Sequence, residues 1–358
     1  MSQKPLQVGL PVMLHYEAEI QAFLKAKQRI EALGESHSIP MNVGAFLFFV
    51  PSALKEANVQ KQIENQRKYE LPIIHAQSSF QAPHNLFYSR HQDCSLDGQS
   101  DFMERVIEQT QRLKQLDPSG LPADVDLNVG LYSFRDIPEP NADPAHVLPL
   151  DVIVNQREAL LQRFKSRFGE LRDIARENGL GLVLENAITS VFVPHPTYNK
   201  RLGMYFYAFN DINSLRKISG DSLALDIAHW AATESAPGLF ERNKAFEYRD
   251  FLFAMDGITS WDEYKQHHPA LSEHSKQAKV FHFSNATGLG VYLEGDLEAK
   301  WGDVGTVEGI VPRQDFRTII DDARENGKPV IIEVDYDIKN IPVNQFREAD
   351  KLLDHILT

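Results

Sequence analysis

Short apolar blocks alternate with longer amphipathic stretches along this chain, and the two carry different periods. "LQVGLPVML" at 6–14 reads as a first strand, and "AEIQAFLKAKQRIEALG" at 18–34 follows with helical spacing, Gly34 standing where a C-cap glycine would. The dense apolar run "VGAFLFFV" at 43–50 predicts a buried second strand, and "LPIIHAQ" at 71–77 a third, with a polar-faced helix over 54–70 between them. A helix built on 102–116 leads to a fourth strand, 125–134, and the prolines of 138–151 mark a loop.

The second half keeps the rhythm. A long helix over 155–179 stops at Gly179, and "LGLVLE" at 180–185 is a fifth strand. A connection over 187–209, rich in proline and aromatic residues, reads as an insertion. "NDINSLRKISG" is a short helix and "SLALD" at 222–226 a sixth strand. Helices fill 237–267, with "EYKQHH" at 263–268 read as a solvated helix end. Strands at 278–284 and 329–335 and helices over 315–327 and 343–357 complete the chain. Strict alternation of strand and helix predicts an α/β protein with a parallel sheet. Eight such units fit a single (β/α)8 TIM barrel over 1–358, interrupted near 187–209. A doubly wound open sheet is the alternative, but no glycine-rich ligand-binding turn follows the first strand.

Polarity enters at the strand ends. "GLVLE" closes on Glu185, "LALD" on Asp226, "VFH" on His282 and "VIIE" on Glu333. In a barrel the same end of every strand faces one mouth, so these side chains converge. Each alone has an ordinary reading as a salt-bridge partner, helix cap or hydrogen-bonded core histidine. Their coincidence at equivalent positions is harder to explain that way. Three carboxylates crowded together repel one another and resist ionisation, and one divalent cation relieves both problems. The mixed oxygen and nitrogen donors suit Mn, Zn, Co or Mg without selecting firmly among them. His75 ends the third strand in the same ring, as either a substrate contact or a packing residue. Asn186 and Asn285 lie beside ligands in sequence and are expected to orient them or to bind a substrate hydroxyl. His84 and His91 read as loop residues, and Asp335 and Asp337 as caps of the loop that follows.

Composition narrows the function further. A net charge of −13 sets a low expectation for nucleic-acid binding. Mean hydropathy is −0.34, and no apolar run reaches membrane-spanning length. "MSQKPLQVGLP" has no basic end before a long apolar region, so no leader is expected. With Cys94 alone, no intrachain disulfide forms and no thiolate zinc site can be built; a reducing, cytoplasmic setting is expected.

The stretches "GLVLEN", "LALDIAHW", "VFHFSN" and "PVIIEVD" together resemble the xylose isomerase-like TIM-barrel superfamily, over roughly residues 70 to 335. "LPIIHAQSSFQAPHNL" looks like its strand-three histidine segment and "WGDVGTVEGIV" like its late loop. The resemblance implies metal ligation by Glu185, Asp226, His282 and Glu333. It also implies proton transfer by Glu185 and Glu333, and contact of His229 with substrate or with a second metal, with His75 beside it. The implied activity is that of a metal-dependent isomerase or epimerase of a small sugar or polyol-type hydroxy-carbonyl compound, working through a metal-stabilised enediolate. The endonuclease IV branch of the same superfamily needs more histidines. Here "NVGLYSF" has none, and Trp301 stands where that branch has one. A hydrolase, lyase or phosphodiesterase on the same site, and a non-catalytic ligand-binding barrel, remain the alternatives. The aromatics of the insertion would suit a roof over the mouth or a homodimer interface.

Overall fold

The computed structural model describes residues 4–49, 51–78, 96–128, 150–186, 212–235, 253, 257–286, 304–334 and 343–358. Eight parallel strands close a barrel: β1 (Leu6–Val12), β2 (Met41–Phe49), β3 (Ile73–Ser78), β4 (Asp124–Asn128), β5 (Gly181–Glu185), β6 (Leu223–Asp226), β7 (Ala278–Phe283) and, after a small antiparallel pair β8 (Asn285–Ala286) and β9 (Val304–Thr306), β10 (Val330–Ile332). Each neighbours the next in sequence, and β10 pairs with β1 to close the ring. Helices α1 (Glu17–Ser36), α2 (Glu56–Tyr69), α3 (Leu96–Lys114), α4 (Leu150–Glu177), α5 (Ile212–Ser219) and α6 (Ile227–Glu234) fall between strands, followed by the helices Trp261–His267, Leu271–Gln277, Arg313–Asn326 and Val343–Leu357. The expected fold is the observed one.

The period of two along each strand divides the core in two. One set of side chains points outward and packs under the helices: Leu182 and Leu184, Leu223 and Leu225, Phe281 and Phe283, with Phe316 of the helix Arg313–Asn326 against Phe283. The other set points inward and forms a separate cluster of Phe46, Ile74, Val183, Ala224, Val280 and Ile331. Four of these inward residues stand two positions before Glu185, Asp226, His282 and Glu333. The strands therefore lay an apolar plug across the barrel and carry their polar residues in the layer above it, toward the C-terminal mouth.

Three expectations change. Gly34 is not a helix cap, because α1 continues to Ser36. A Cβ there would stand 2.5 Å from the carbonyl oxygen of Ile39 and 2.7 Å from Met41 Cγ, so the glycine lets the chain turn back closely onto its own helix before β2. The segment 263–268 is not a solvated end. Tyr264 is buried and its hydroxyl donates to Thr233 O at 2.9 Å, while the buried His268 ring stacks on it at 4.2 Å. The fourth strand begins one residue early, at Asp124, which places a second acid inside the barrel. Gly179 (φ +72°) and Gly327 (φ +68°) do end helices as read. The 187–209 insertion, most of 237–256, His84, His91, Cys94, Trp301, Asp335 and Asp337 lie outside the described residues. No described helix is long and apolar enough to cross a membrane.

Candidate metal centre

Asp226 shows how a strand end becomes a site. Its backbone is still extended (φ −83°, ψ 115°), and its side chain caps α6 by accepting from His229 N at 2.8 Å. The Asp-x-x-His spacing is thus an N-cap and the third residue of its helix. Capping consumes one carboxylate oxygen and leaves Oδ2 facing the barrel axis. Cross-strand register sets Asp226 directly beside His282 of β7. One strand further round, Glu333 follows β10 and is fixed by its own amide, which donates to Phe283 O at 3.0 Å. Glu185 closes β5 on the other side.

Glu185, Asp226, His282 and Glu333 each present a ligand atom, and these atoms lie within 4.8 Å of one another. His282 Nδ1 is 3.4 Å from Glu333 Oε2 and 3.8 Å from Glu185 Oε1. Glu185, Asp226 and His282 are buried, and Glu333 is partly open. Glu185 Oε1 and His282 Nδ1 are buried without a hydrogen-bond partner among the described residues. Oxygen and imidazole donors, buried, converging and unsatisfied, fit a divalent cation.

The electrostatics agree. Burial, followed by the negative charge of Asp126, pushes the Glu185 carboxyl up to about 8. Burial also raises Asp226, with the Glu333 charge adding to it against the pull of His229. Burial works against a charged His282, yet the carboxylates of Glu333, Glu185 and Asp126 outweigh it and hold the imidazole well above its ordinary value. Without a cation, this cluster keeps protons that its groups would release in water.

His229 lies at the rim. Burial lowers its proton affinity, but Asp226 and Glu185 raise it further, to about 9. Nδ1 is 3.3 Å from Glu185 Oε1, 3.4 Å from Asp226 Oδ2 and 2.8 Å from Asn186 O. A carbonyl oxygen only accepts, so Nδ1 carries a proton and donates to it. The side chain keeps 17% of its exposure.

The two asparagines are turned to backbone instead of to a ligand. Asn186 donates from Nδ2 to Asp226 O at 3.0 Å and accepts Asp226 N on Oδ1 at 2.8 Å. It therefore ties the end of β5 to the end of β6 and sets the height of Asp226. Asn285 donates to Val311 O at 2.9 Å and accepts from Ala286 N and Val311 N. Both ends of each amide are engaged, so the expectation of a substrate contact does not suit them. His75 is fully buried and turned toward Asp126 and His282.

Two residues of the centre were not anticipated. Asp126, on β4, is completely buried with Oδ2 3.1 Å from His282 Nε2. Gln77, on β3, donates from Nε2 to Glu185 Oε2 at 2.7 Å. That bond occupies the outer oxygen of Glu185 and leaves Oε1 for the cation. Replacing Gln77 by leucine is expected to weaken binding of Mn²⁺ or Zn²⁺ by about 10–100-fold, measured by calorimetric titration of the chelator-treated protein. Unchanged affinity would mean that the amide does not orient the ligand.

The sequence matches no protein-family model and no curated protein. Solved structures do match. A candidate xylose isomerase from Rhodospirillum rubrum aligns at 12% identity and a TM-score of 0.52, covering 98% of each chain. A xylose isomerase domain protein from Planctomyces limnophilus aligns at 12% identity and 0.49, covering 99% of this chain and 96% of that one. A D-psicose 3-epimerase from Clostridium cellulolyticum aligns at 12% and 0.46, covering 98% and 97%. The first of these likenesses shows the fold: the chain is a (β/α)8 barrel.

Proposed function

We propose that this protein is a divalent-metal-dependent isomerase or epimerase of a small polyhydroxy carbonyl compound. The observation that carries the reading is the placing of two carboxylates at opposite ends of one arc. Glu185 and Glu333 end the outer strands of the series β5, β6, β7, β10, with Asp226 and His282 between them. When bound there, a divalent cation would polarise a carbonyl and its neighbouring hydroxyl and acidify the C–H bond they share.

The residues do the rest. Glu185 and Glu333 flank the substrate carbon, so one takes the proton and the other returns it. His229, charged and at the rim, donates a hydrogen bond to a substrate oxygen. Asn186 and Gln77 hold the ligand carboxylates in place.

The reaction predicts solvent exchange. Incubated in D₂O with Mn²⁺ and a panel of ketoses and inososes, the protein is expected to place deuterium next to the carbonyl of at least one of them, read by NMR. No exchange across the panel would sink proton-transfer chemistry.

A further inference from the structure

His282 uses its ring nitrogens in two directions. Nδ1 faces Glu333 and Glu185, as described. Nε2 points the other way, to Asp126 Oδ2 at 3.1 Å and His75 Nε2 at 3.3 Å. His75 Nε2 is itself 3.6 Å from the same carboxylate oxygen. These atoms form a nearly equilateral triangle, and all three side chains are completely buried. A tetrahedral cation with bonds of about 2.0–2.2 Å spaces its ligand atoms about 3.3–3.6 Å apart. The triangle has the size of one face of that tetrahedron.

Hydrogen bonding alone does not satisfy the cluster. One imidazole N–H bridges the two rings. Neither oxygen of Asp126 receives a hydrogen bond of acceptable geometry among the described residues. The two imidazoles stabilise its charge from one side only, and a buried carboxylate so placed is costly.

We propose that His75, Asp126 and Nε2 of His282 form a second divalent-cation site, joined to the first through the His282 ring. Two imidazole nitrogens among three donors select a first-row transition-metal dication over Mg²⁺ or Ca²⁺. Binding at both nitrogens displaces both ring protons of His282 to solvent. The two cations would stand an imidazole apart, farther than the ~3.5–4 Å of a two-metal hydrolytic clamp. The second therefore fixes charge and geometry around the first site and does not touch substrate.

The test is metal content. Chelator-treated full-length protein is loaded with excess Zn²⁺, desalted and analysed for zinc. Two zinc ions per chain are expected in the wild type, one in Asp126→Ala and one in Asp226→Asn. If a variant fails to fold, anomalous scattering from Zn²⁺-soaked wild-type crystals replaces it. A second peak is then expected within ~2.2 Å of His75 Nε2, Asp126 Oδ2 and His282 Nε2. One zinc per chain in the wild type, an unchanged count in Asp126→Ala, or a second peak elsewhere overturns the proposal. The outcome is separable from the proposed reaction. Two zinc ions without proton exchange would defeat the reaction and keep the site, and exchange with one zinc would do the reverse.

Discussion

Replacing Glu185 by glutamine is expected to stabilise the metal-free protein by about 3 kcal/mol at pH 7. The same change should remove the stabilisation that a divalent cation gives by binding at the Glu185, Asp226, His282 and Glu333 site. The carboxyl titrates near 8 in the folded chain, chiefly through burial and then through the Asp126 charge, against an ordinary value of 4.5. Between those values the unfolded chain has released a proton that the folded chain still holds. Wild-type stability therefore falls as pH rises across this window, by about 1.4 kcal/mol per unit. Glutamine carries no such proton and keeps an oxygen for the Gln77 amide. The gain should vanish near pH 4.5 and be largest at pH 8. With Mn²⁺ at a hundredfold excess over its dissociation constant at this site, the wild type recovers about 2.7 kcal/mol that the variant does not. In the proposed reaction, turnover should drop by about 10²–10⁴-fold. Urea titrations of chelator-treated proteins at pH 5, 7 and 8 check the stability part. A variant less stable than the wild type at pH 7 without metal would show that the cluster is not under the electrostatic load described.

That load has a fourth carboxylate in it, Asp126, which no strand end marks in the sequence. Glu185, Asp226, His282 and Glu333 were legible because each stands at a strand end, where an apolar run breaks into polarity. Asp126 stands mid-strand, one layer down. In "DVDLN" the acids alternate with Val125 and Leu127. On a sheet with one wet face this pattern would turn the acids to water. In a (β/α)8 barrel helices cover the outer face, so the polar parity of a strand points into the barrel. On β3 the parity is broken by a bulge opposite Ala45 and Phe46, so that Ile74 as well as His75 and Gln77 face inward. The signal was present, but it is readable only once the barrel is assumed.

Other features depend on contacts that no local pattern carries. Gly34 near a helix end has two readings, and only the return of the chain at Ile39 separates them. Asn186 and Asn285 sit beside ligands, yet their amides are captured by backbone groups of Asp226 and Val311 from distant segments. The segment 263–268 is polar enough to be solvated, but Tyr264 and His268, four residues apart, share a helical face and pack inward.

Lowering the pH from 6.5 to 4.5 is expected to cost about 2 kcal/mol of stability through His274 alone. This residue lies on the helix Leu271–Gln277, is buried, and has no hydrogen-bond partner on either ring nitrogen among the described residues. Burial first, and then the neighbouring His268, push its proton affinity down to about 3 from an ordinary 6.5. Between those values the unfolded chain takes up a proton that the folded chain refuses. Stability therefore falls with falling pH, by about 1.4 kcal/mol per unit, and the loss approaches 5 kcal/mol by pH 3. Glu185 contributes with the opposite sign in the metal-free chain, so the two partly cancel between pH 4.5 and 6.5, and the whole-protein curve alone would not separate them. A His274→Leu variant does, because the Glu185 contribution is common to both chains. The difference in unfolding free energy between variant and wild type should grow steadily in the variant's favour below pH 6.5 and be constant above it. Parallel stability curves from pH 4.5 to 7.5 would mean that His274 is not held neutral by its surroundings.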